Sequence, residues 1–257
     1  MKKPFLIIGF ICITAITPAH ALTPEQAGLY YQSAYPQSVR YEHGALWVKQ
    51  QKLPLKASDG DFNAQLNQGE LLDQLAQRYP FDFQIPACNA DPGRIRSDAF
   101  FAAMYGGSEQ AVRKNLVSVR WAPNGKNVQF NHINGAAQVL QAVGEEIAQH
   151  PQLAAYVAKP AGTFNYRFIS GTKRRSAHAF GIAIDFTLPH GLGTYWQWSG
   201  CKADSPCAYP EKLIRDPKLK QIVGIFEKRG FIWGGKWYHY DSGHFEYRPE
   251  LLQLTCR

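Results

Sequence analysis

The chain has 257 residues, of which 45% are hydrophobic and 19% charged, and its formal net charge is +8. Its aromatic content, 15 Phe, 13 Tyr and 6 Trp, is more than a solvated, disordered chain carries. The composition therefore excludes a disordered protein, a collagen and a coiled coil, and it predicts a folded chain with one sizeable core or two small ones.

The N-terminal residues have the pattern of a secretory signal peptide. Two lysines precede an apolar run from Phe5 to Ile16, and the small residues Ala19 and Ala21 stand before the expected cleavage site. The run is much shorter than the roughly 20 residues that a membrane-spanning helix needs. We therefore expect cleavage before Leu22 and a secreted, periplasmic mature chain that has no membrane segment.

Helices and short strands follow one another irregularly along the mature chain. In chain order the patterns predict a helix at Leu22–Gln37, a hairpin within Val39–Leu55, a helix at Ala64–Arg78, a helix that begins at Asp98 and is capped by Ser97, a hairpin of Val117–Trp121 with Val128–Asn131, a helix at Ala136–His150, a strand at Gly181–Thr187, a helix at Pro217–Arg229 and a strand at Trp237–Tyr247. No regular strand–helix alternation is present, so the predicted fold class is α+β.

Four cysteines remain after cleavage, an even number that agrees with export to a compartment where disulfides persist. The expected pairs are Cys201 with Cys207, which closes a small loop, and Cys88 with Cys256, which ties back the C-terminus. A zinc site built from cysteines is the alternative, but the chain has no CxxC pair. The remaining net charge of the mature chain is modest, and since no nucleic-acid-binding motif accompanies it, we expect no nucleic-acid partner.

One histidine and one aspartate stand out in residues 176–185. His178 is expected in a turn, Gly181 permits a sharp entry into the next strand, and Asp185 lies inside that otherwise apolar strand. A carboxylate beside Ile184 and Phe186 is expensive to bury unless it meets a cation or several hydrogen-bond donors. A metal ion would supply the missing positive charge.

A second polar cluster lies near the C-terminus. His244 and Glu246 share one face of an extended segment, and Asp241 precedes the histidine by three residues. Together with His178 and Asp185, His244 completes a two-histidine, one-carboxylate set, which suits zinc in a catalytic site with an open fourth position. Any one of these residues alone is more often a satisfied polar group or a turn former, so the prediction depends on the joint pattern.

The string SxHxxGxAxD followed by DxxHFE resembles the M15 zinc peptidases, the D-alanyl-D-alanine carboxypeptidases and L-alanyl-D-glutamate endopeptidases that cleave peptidoglycan stem peptides. The matching residues are Ser176, His178, Gly181, Ala183, Asp185, Asp241, His244, Phe245 and Glu246. The resemblance implies a small antiparallel sheet that carries the zinc site and is flanked by helices, with an N-terminal helical extension. The expected division is a signal peptide at 1–21, an extension at 22–89 and a catalytic domain at 90–257.

The resemblance also implies residue roles. His178, Asp185 and His244 would bind Zn2+, with water in the fourth position. Asp241 would take the water's proton as general base and later protonate the leaving amine. Glu246 would either support His244 or pair with a surface cation, and the sequence leaves both open.

An arginine upstream of the first zinc ligand binds the peptide and stabilises the oxyanion in this family. Arg167 is the best match for it. Arg174 and Arg175 compete for the role, but adjacent arginines in a turn are usually solvated. Ser176 is expected to hold the loop or to contact the substrate.

The resemblance therefore implies an exported zinc metallopeptidase that acts on peptidoglycan stem peptides. One alternative is a non-catalytic cell-wall-binding module of the same fold, although all the ligand positions and the base are present. The other is a metal-dependent hydrolase of another substrate, such as a nuclease, which predicts clustered Lys and Arg around the cleft, and Lys173, Arg174 and Arg175 are the only hint of such a cluster. The sequence leaves open which peptide bond is cut.

Overall fold

Short helices and three antiparallel sheets make up the part of the chain that the computed structural model describes, residues 22–189, 191–201 and 208–253. This mixture confirms the predicted α+β class. The expected signal peptide lies outside the described residues. Within them, no helix is both long enough and apolar enough to cross a membrane.

The bounds of the elements follow the chain. The helices are α1 (Pro24–Ala34), α2 (Phe62–Gln68), α3 (Leu71–Gln74), α4 (Asp98–Tyr105), α5 (Glu109–Arg113), α6 (Ala136–Ala148), α7 (Pro151–Ala154), α8 (Lys212–Arg215), α9 (Pro217–Glu227) and α10 (Pro249–Gln253). The strands are β1 (Val39–Glu42), β2 (Ala45–Val48), β3 (Gln51–Leu53), β4 (Leu116–Trp121), β5 (Lys126–Asn131), β6 (Pro160–Gly162), β7 (Ala183–Phe186), β8 (Phe231–Trp233) and β9 (His244–Tyr247).

The predicted N-terminal helix is present as α1. Thr23 accepts a hydrogen bond from the backbone N–H of Gln26, whose side chain accepts one from the N–H of Thr23, so the pair forms a capping box. Strands β1, β2 and β3 follow as an antiparallel sheet. The hairpin that the sequence predicts in this region is therefore confirmed, with one more strand than expected.

The single helix predicted at Ala64–Arg78 is wrong, because the chain forms two short helices that are separated at Gly69. Gly69 has extended backbone angles, and a Cβ there would lie 2.7 Å from Ile95. The carboxylate of Asp73 accepts hydrogen bonds from Ser58 and from the backbone N–H of Glu70. Close packing and this local acceptor therefore interrupt a pattern that looks continuous in the sequence.

A four-stranded antiparallel sheet in the order β6-β7-β9-β8 occupies the second half of the chain. The strand predicted at Trp237–Tyr247 is shorter than expected, since only β9 joins the sheet. The Trp237 indole N–H donates to the carbonyl of Pro92, and the Tyr238 N–H donates to the carbonyl of Ala90. Residues 237 and 238 thus bond to the loop around residue 91, and Tyr240 and Ser242 bond to the backbone of residues 194–196, so this segment leaves the sheet.

The N-terminal part and the sheet share one hydrophobic core. On one side, α1 contributes Tyr31, whose ring centroid lies 4.9 Å from that of Phe100. On the other, α9 covers the sheet, with Phe226 stacked on Phe245 at 4.1 Å. Burial of such rings stabilises the fold through apolar area removed from water.

The cysteine predictions have different outcomes. Cys88 is a free thiol in an exposed turn, in which the Ala90 N–H donates to the Ala87 carbonyl, so the predicted bond to Cys256 is wrong. Cys207 and Cys256 lie outside the described residues. The Cys201–Cys207 pair stays a prediction.

Candidate metal centre

His178 is held in a short 3-10 turn that its neighbours close at both ends. The hydroxyl of Ser176 accepts a hydrogen bond from the His178 N–H, and Gly181 ends the turn in the left-handed region with φ +67°. The Nδ1 atom of His178 lies 2.6 Å from the carbonyl oxygen of Thr163. That bond leaves Nε2 to face the interior of a cleft, as a ligating histidine requires.

Asp185 and His244 face each other across two paired strands. Asp185 lies on β7 and His244 on β9, and the antiparallel register places them directly opposite. The Oδ1 atom of Asp185 is 2.9 Å from Nδ1 of His244, and its Oδ2 atom is 3.1 Å from Nε2 of His178. The carboxylate of Asp185 therefore lies between two histidines that are far apart in the sequence.

These three residues fit a divalent cation. One donor atom from each of His178, Asp185 and His244 lies within 4.8 Å of the other two. Nε2 of the His244 ring contacts Oε2 of Glu246 at 3.2 Å. Nδ1 of the same ring is therefore the nitrogen available to a metal ion held with His178 and Asp185. Two imidazole nitrogens and one carboxylate are a donor set that zinc takes in catalytic sites.

The electrostatics of the cluster also favour a positive charge. Burial would raise the pKa of the Asp185 carboxyl, but hydrogen bonds with His178 and His244 outweigh burial and hold the pKa well below its usual range. Burial would lower the pKa of His244, but hydrogen bonds with Asp185 and Glu246 raise it to about 10. The space between these carboxylates therefore stabilises a cation.

Glu246 supports His244 through a buried ion network. The Glu246 side chain is fully buried and pairs with Arg96 at 3.0 Å and with Arg248 at 2.8 Å. Arg248 also bonds to Glu250, which accepts hydrogen bonds from Tyr35, just after α1, and from Gln74 in α3. The sequence left two roles open for Glu246, support of His244 or pairing with a surface cation. In the structure Glu246 contacts His244, and the cations that it pairs with are buried.

Asp241 lies in the turn before β9 and lines the same cleft. Its backbone is held on both sides, since its N–H donates to the carbonyl of Gly234 and its carbonyl accepts from the N–H of His244. The cleft has a volume of about 780 Å³ and is lined by all three residues of the cluster. His239, two residues away, bonds to Asp91 instead and has no part in the cluster.

The predicted substrate-binding residues have different environments. Arg167 lines the cleft, but it is exposed, and its guanidinium donates to the carbonyl of Phe168. Ser176 is buried and also lines the cleft. Arg174 lines it as well and is only 6% exposed, so the expectation of a solvated arginine is wrong for this position. Arg175 stacks on the rings of Tyr166 and Phe168.

Sequence reasoning did not find Thr163, Arg96 and Arg248 as supporting residues. For Arg248 a pattern was available, because it continues the alternation of His244 and Glu246 along an extended segment. Thr163 and Arg96 contact the site from segments without any distinctive pattern.

Gly181→Ala is expected to lower the free energy of unfolding by about 2–4 kcal/mol, because a Cβ would be strained at φ +67° and would lie 2.5 Å from Leu116. Gly171→Ala is the matched control, since Gly171 has φ +74° with nothing within 4 Å. It should lose only about 1–2 kcal/mol. Urea unfolding measures both, and equal losses would show that packing at residue 181 contributes nothing.

Residues 170–247 match a family model described as D-alanyl-D-alanine carboxypeptidase, of the M15 peptidases. The matched segment includes the three residues of the cluster and Asp241, whereas Arg167 precedes it. No curated protein and no solved structure matches the chain. The resemblance drawn from the motif residues is confirmed over residues 170–247, where the chain is similar to the M15 peptidases.

Proposed function

We propose that this chain is an exported zinc peptidase that cleaves peptidoglycan stem peptides. The observation that carries the proposal is the convergence of His178, Asp185 and His244 in a cleft that also contains Asp241. The family match supports the peptide substrate, and its description favours the bond between two terminal D-alanines over the bond between L-alanine and D-glutamate.

The cluster would hold Zn2+ through Nε2 of His178, a carboxylate oxygen of Asp185 and Nδ1 of His244. A bound zinc ion would polarise the scissile carbonyl and lower the pKa of a water molecule. The carbonyl of Thr163 and the carboxylate of Glu246 orient the two histidine rings through their other nitrogens.

Asp241 is the proposed general base. Burial raises the pKa of its carboxyl, and although the charge of His244 lowers this pKa, burial together with the charge of Asp185 keeps it above its usual value. A carboxylate with a raised pKa binds a proton more readily, so an oxygen of Asp241 takes a proton from the attacking water. It then gives this proton to the leaving amine as the C–N bond breaks, so that one water is added across the peptide bond.

Export is part of the proposal and rests on the N-terminal pattern of residues 1–21. A mature chain in the periplasm of a two-membrane bacterium would meet peptidoglycan directly. The oxidising periplasm would also allow Cys201 and Cys207 to form a disulfide.

The basic run that suggested a metal-dependent nuclease, residues 173–175, is not an exposed cationic surface, although Arg94, Arg96, Arg167 and Arg174 line the cleft. Arg174 is buried and Arg175 stacks on two aromatic rings, which leaves Lys173 as the freely solvated residue of the three. A surface that binds phosphates needs several exposed cations.

The other alternative is a non-catalytic module that binds the cell wall. Such a module would have no use for Asp241 beside the cluster.

Digestion of purified peptidoglycan and of soluble stem peptides by the mature protein tests the proposal. We expect peptide cleavage that a chelator abolishes and zinc restores, and the masses of the products identify the bond. If one zinc is bound per chain but neither substrate is cut, the peptidase assignment is wrong, and salt-sensitive DNA binding would then favour the nuclease.

A further inference from the structure

An exposed tryptophan lies at the wall of the cleft. Trp198 is 80% exposed, although it lines the same cleft as the His178–Asp185–His244 cluster. The next most exposed large apolar side chains of the described residues are only 51% exposed. Contact of so large an apolar ring with water is costly, and a surface of this kind commonly marks the place where a ligand binds.

The chain around this tryptophan is bonded to the turn that carries Asp241. Trp196–Ser199 forms a 3-10 turn, and Tyr195, just before it, pairs with Asp241 in an isolated antiparallel bridge. The Trp196 N–H also donates to the carbonyl of Tyr240. The aromatic turn (residues 195–199) is therefore fixed in place beside the proposed general base.

The aromatic turn offers rings and neutral polar groups but no charge. The Tyr195 ring lies 5.8 Å from that of Trp198 and 6.0 Å from that of Trp196. Among the described residues, the buried indole N–H of Trp196 has no hydrogen-bond partner, and the exposed Gln197 also lines the cleft. Residues 191–200 contain no charged side chain, so the arginines that line the cleft come from other segments.

We infer that the aromatic turn binds an N-acetylated sugar of the glycan strand to which the stem peptide is attached. One face of a sugar ring presents C–H groups with partial positive charge, which pack against the negative face of an indole ring. The hydroxyl groups of the sugar match the Gln197 amide, and its acetamido carbonyl is an acceptor of the kind that the Trp196 N–H lacks.

The absence of charge separates the sugar from the peptide as the occupant of this wall. A stem peptide carries free carboxylates, which are best bound by cations, whereas the sugar rings are neutral. The inference rests on the proposed peptidase function. It deepens that function by naming the substrate as a stem peptide that is still attached to its sugars.

The kinetic test compares disaccharide-peptides, released from peptidoglycan by a muramidase, with the same stem peptide without sugar. The wild type should have the lower KM for the disaccharide-peptide. Trp198→Ala should reduce the ratio of the two KM values by roughly 5- to 30-fold, with kcat changed little, because the lost contact is made before and during the reaction alike. Trp198→Phe keeps a smaller ring and should give an intermediate ratio.

The matched control is Phe81→Ala. Phe81 is an aromatic residue that is 43% exposed and does not line the cleft, so its loss should leave the ratio unchanged. Because the Trp198 side chain is mostly in solvent, its replacement should not prevent folding, and urea unfolding of each variant checks this.

Calorimetry with a tetramer of N-acetylglucosamine, a probe that has no peptide stem, separates this inference from the proposed function. We expect binding by wild type and by Phe81→Ala, with an affinity about 5-fold or more weaker in Trp198→Ala. That result supports the sugar subsite even if no peptide is cleaved. Binding that is absent or equal in wild type and Trp198→Ala would overturn it, as would an unchanged KM ratio, and a working peptidase would then keep its proposed function.

A second copy of the chain is the other occupant that an exposed indole accepts. Sedimentation of the mature protein over a range of concentrations distinguishes the two. A monomer throughout supports a turn that is open to the sugar, whereas a dimer that Trp198→Ala abolishes would assign the turn to self-association and overturn the inference.

Discussion

Asp241→Asn is expected to lower kcat for stem-peptide cleavage by about 10²- to 10⁴-fold, while the protein still binds one equivalent of zinc. Asparagine keeps the size of the side chain, but its amide cannot accept the proton of the attacking water. The turn that carries residue 241 is held by backbone hydrogen bonds to Gly234 and His244, which the substitution leaves in place. Steady-state kinetics and metal analysis of the purified variant measure the two quantities.

Asp185→Asn is the matched comparison, because it makes the same chemical change in the other carboxylate of the cleft. The Asp185 carboxylate contacts both His178 and His244, so its loss should remove zinc binding together with activity. Zinc loss in Asp241→Asn would instead make Asp241 a ligand. An undiminished kcat in Asp241→Asn would exclude it as the base.

The residues of the cluster could be predicted from the sequence because their motif is carried by two short, contiguous segments. Ser176 and Gly181 set the turn around His178 locally, and Asp185 stands out as a carboxylate in an apolar strand. The hairpin of β4 and β5 was predictable for a similar reason, since Pro123, Asn124 and Gly125 mark its turn.

The remaining features depend on contacts between distant segments. Strands β6 and β8 have three residues each, too few to show an alternation. The burial of Arg174 depends on the backbone of Arg94, and no local pattern distinguishes it from the exposed Arg167. The network that joins Glu246 to the N-terminal helices likewise combines residues more than 150 positions apart, including Tyr35.

Lys236→Met is expected to lower the free energy of unfolding by about 3–5 kcal/mol, because it leaves a buried carboxylate without its cation. The Lys236 ammonium lies 2.7 Å from Oε1 of Glu227 and donates to the backbone carbonyls of Pro80 and Phe81, and the side chains of the pair are only 1% and 7% exposed. The ammonium therefore links the backbone of residues 80 and 81 to the last residue of α9. Urea unfolding of wild type and variant measures the loss.

The double variant Lys236→Met/Glu227→Gln isolates the unpaired charge as the cause. Glutamine still accepts the hydrogen bond that Tyr79 donates to residue 227, so the double variant should recover roughly half of the loss.

Burial raises the pKa of Glu227 while the Lys236 charge lowers it, so without lysine the folded pKa rises further above the unfolded value. The folded single variant then binds a proton that the unfolded chain has released, and its stability must fall as pH rises above the unfolded pKa of about 4.3. The loss in free energy of unfolding caused by Lys236→Met should thus be smaller at pH 5 than at pH 8. A loss that does not depend on pH and is unchanged in the double variant would show that lost packing causes it instead.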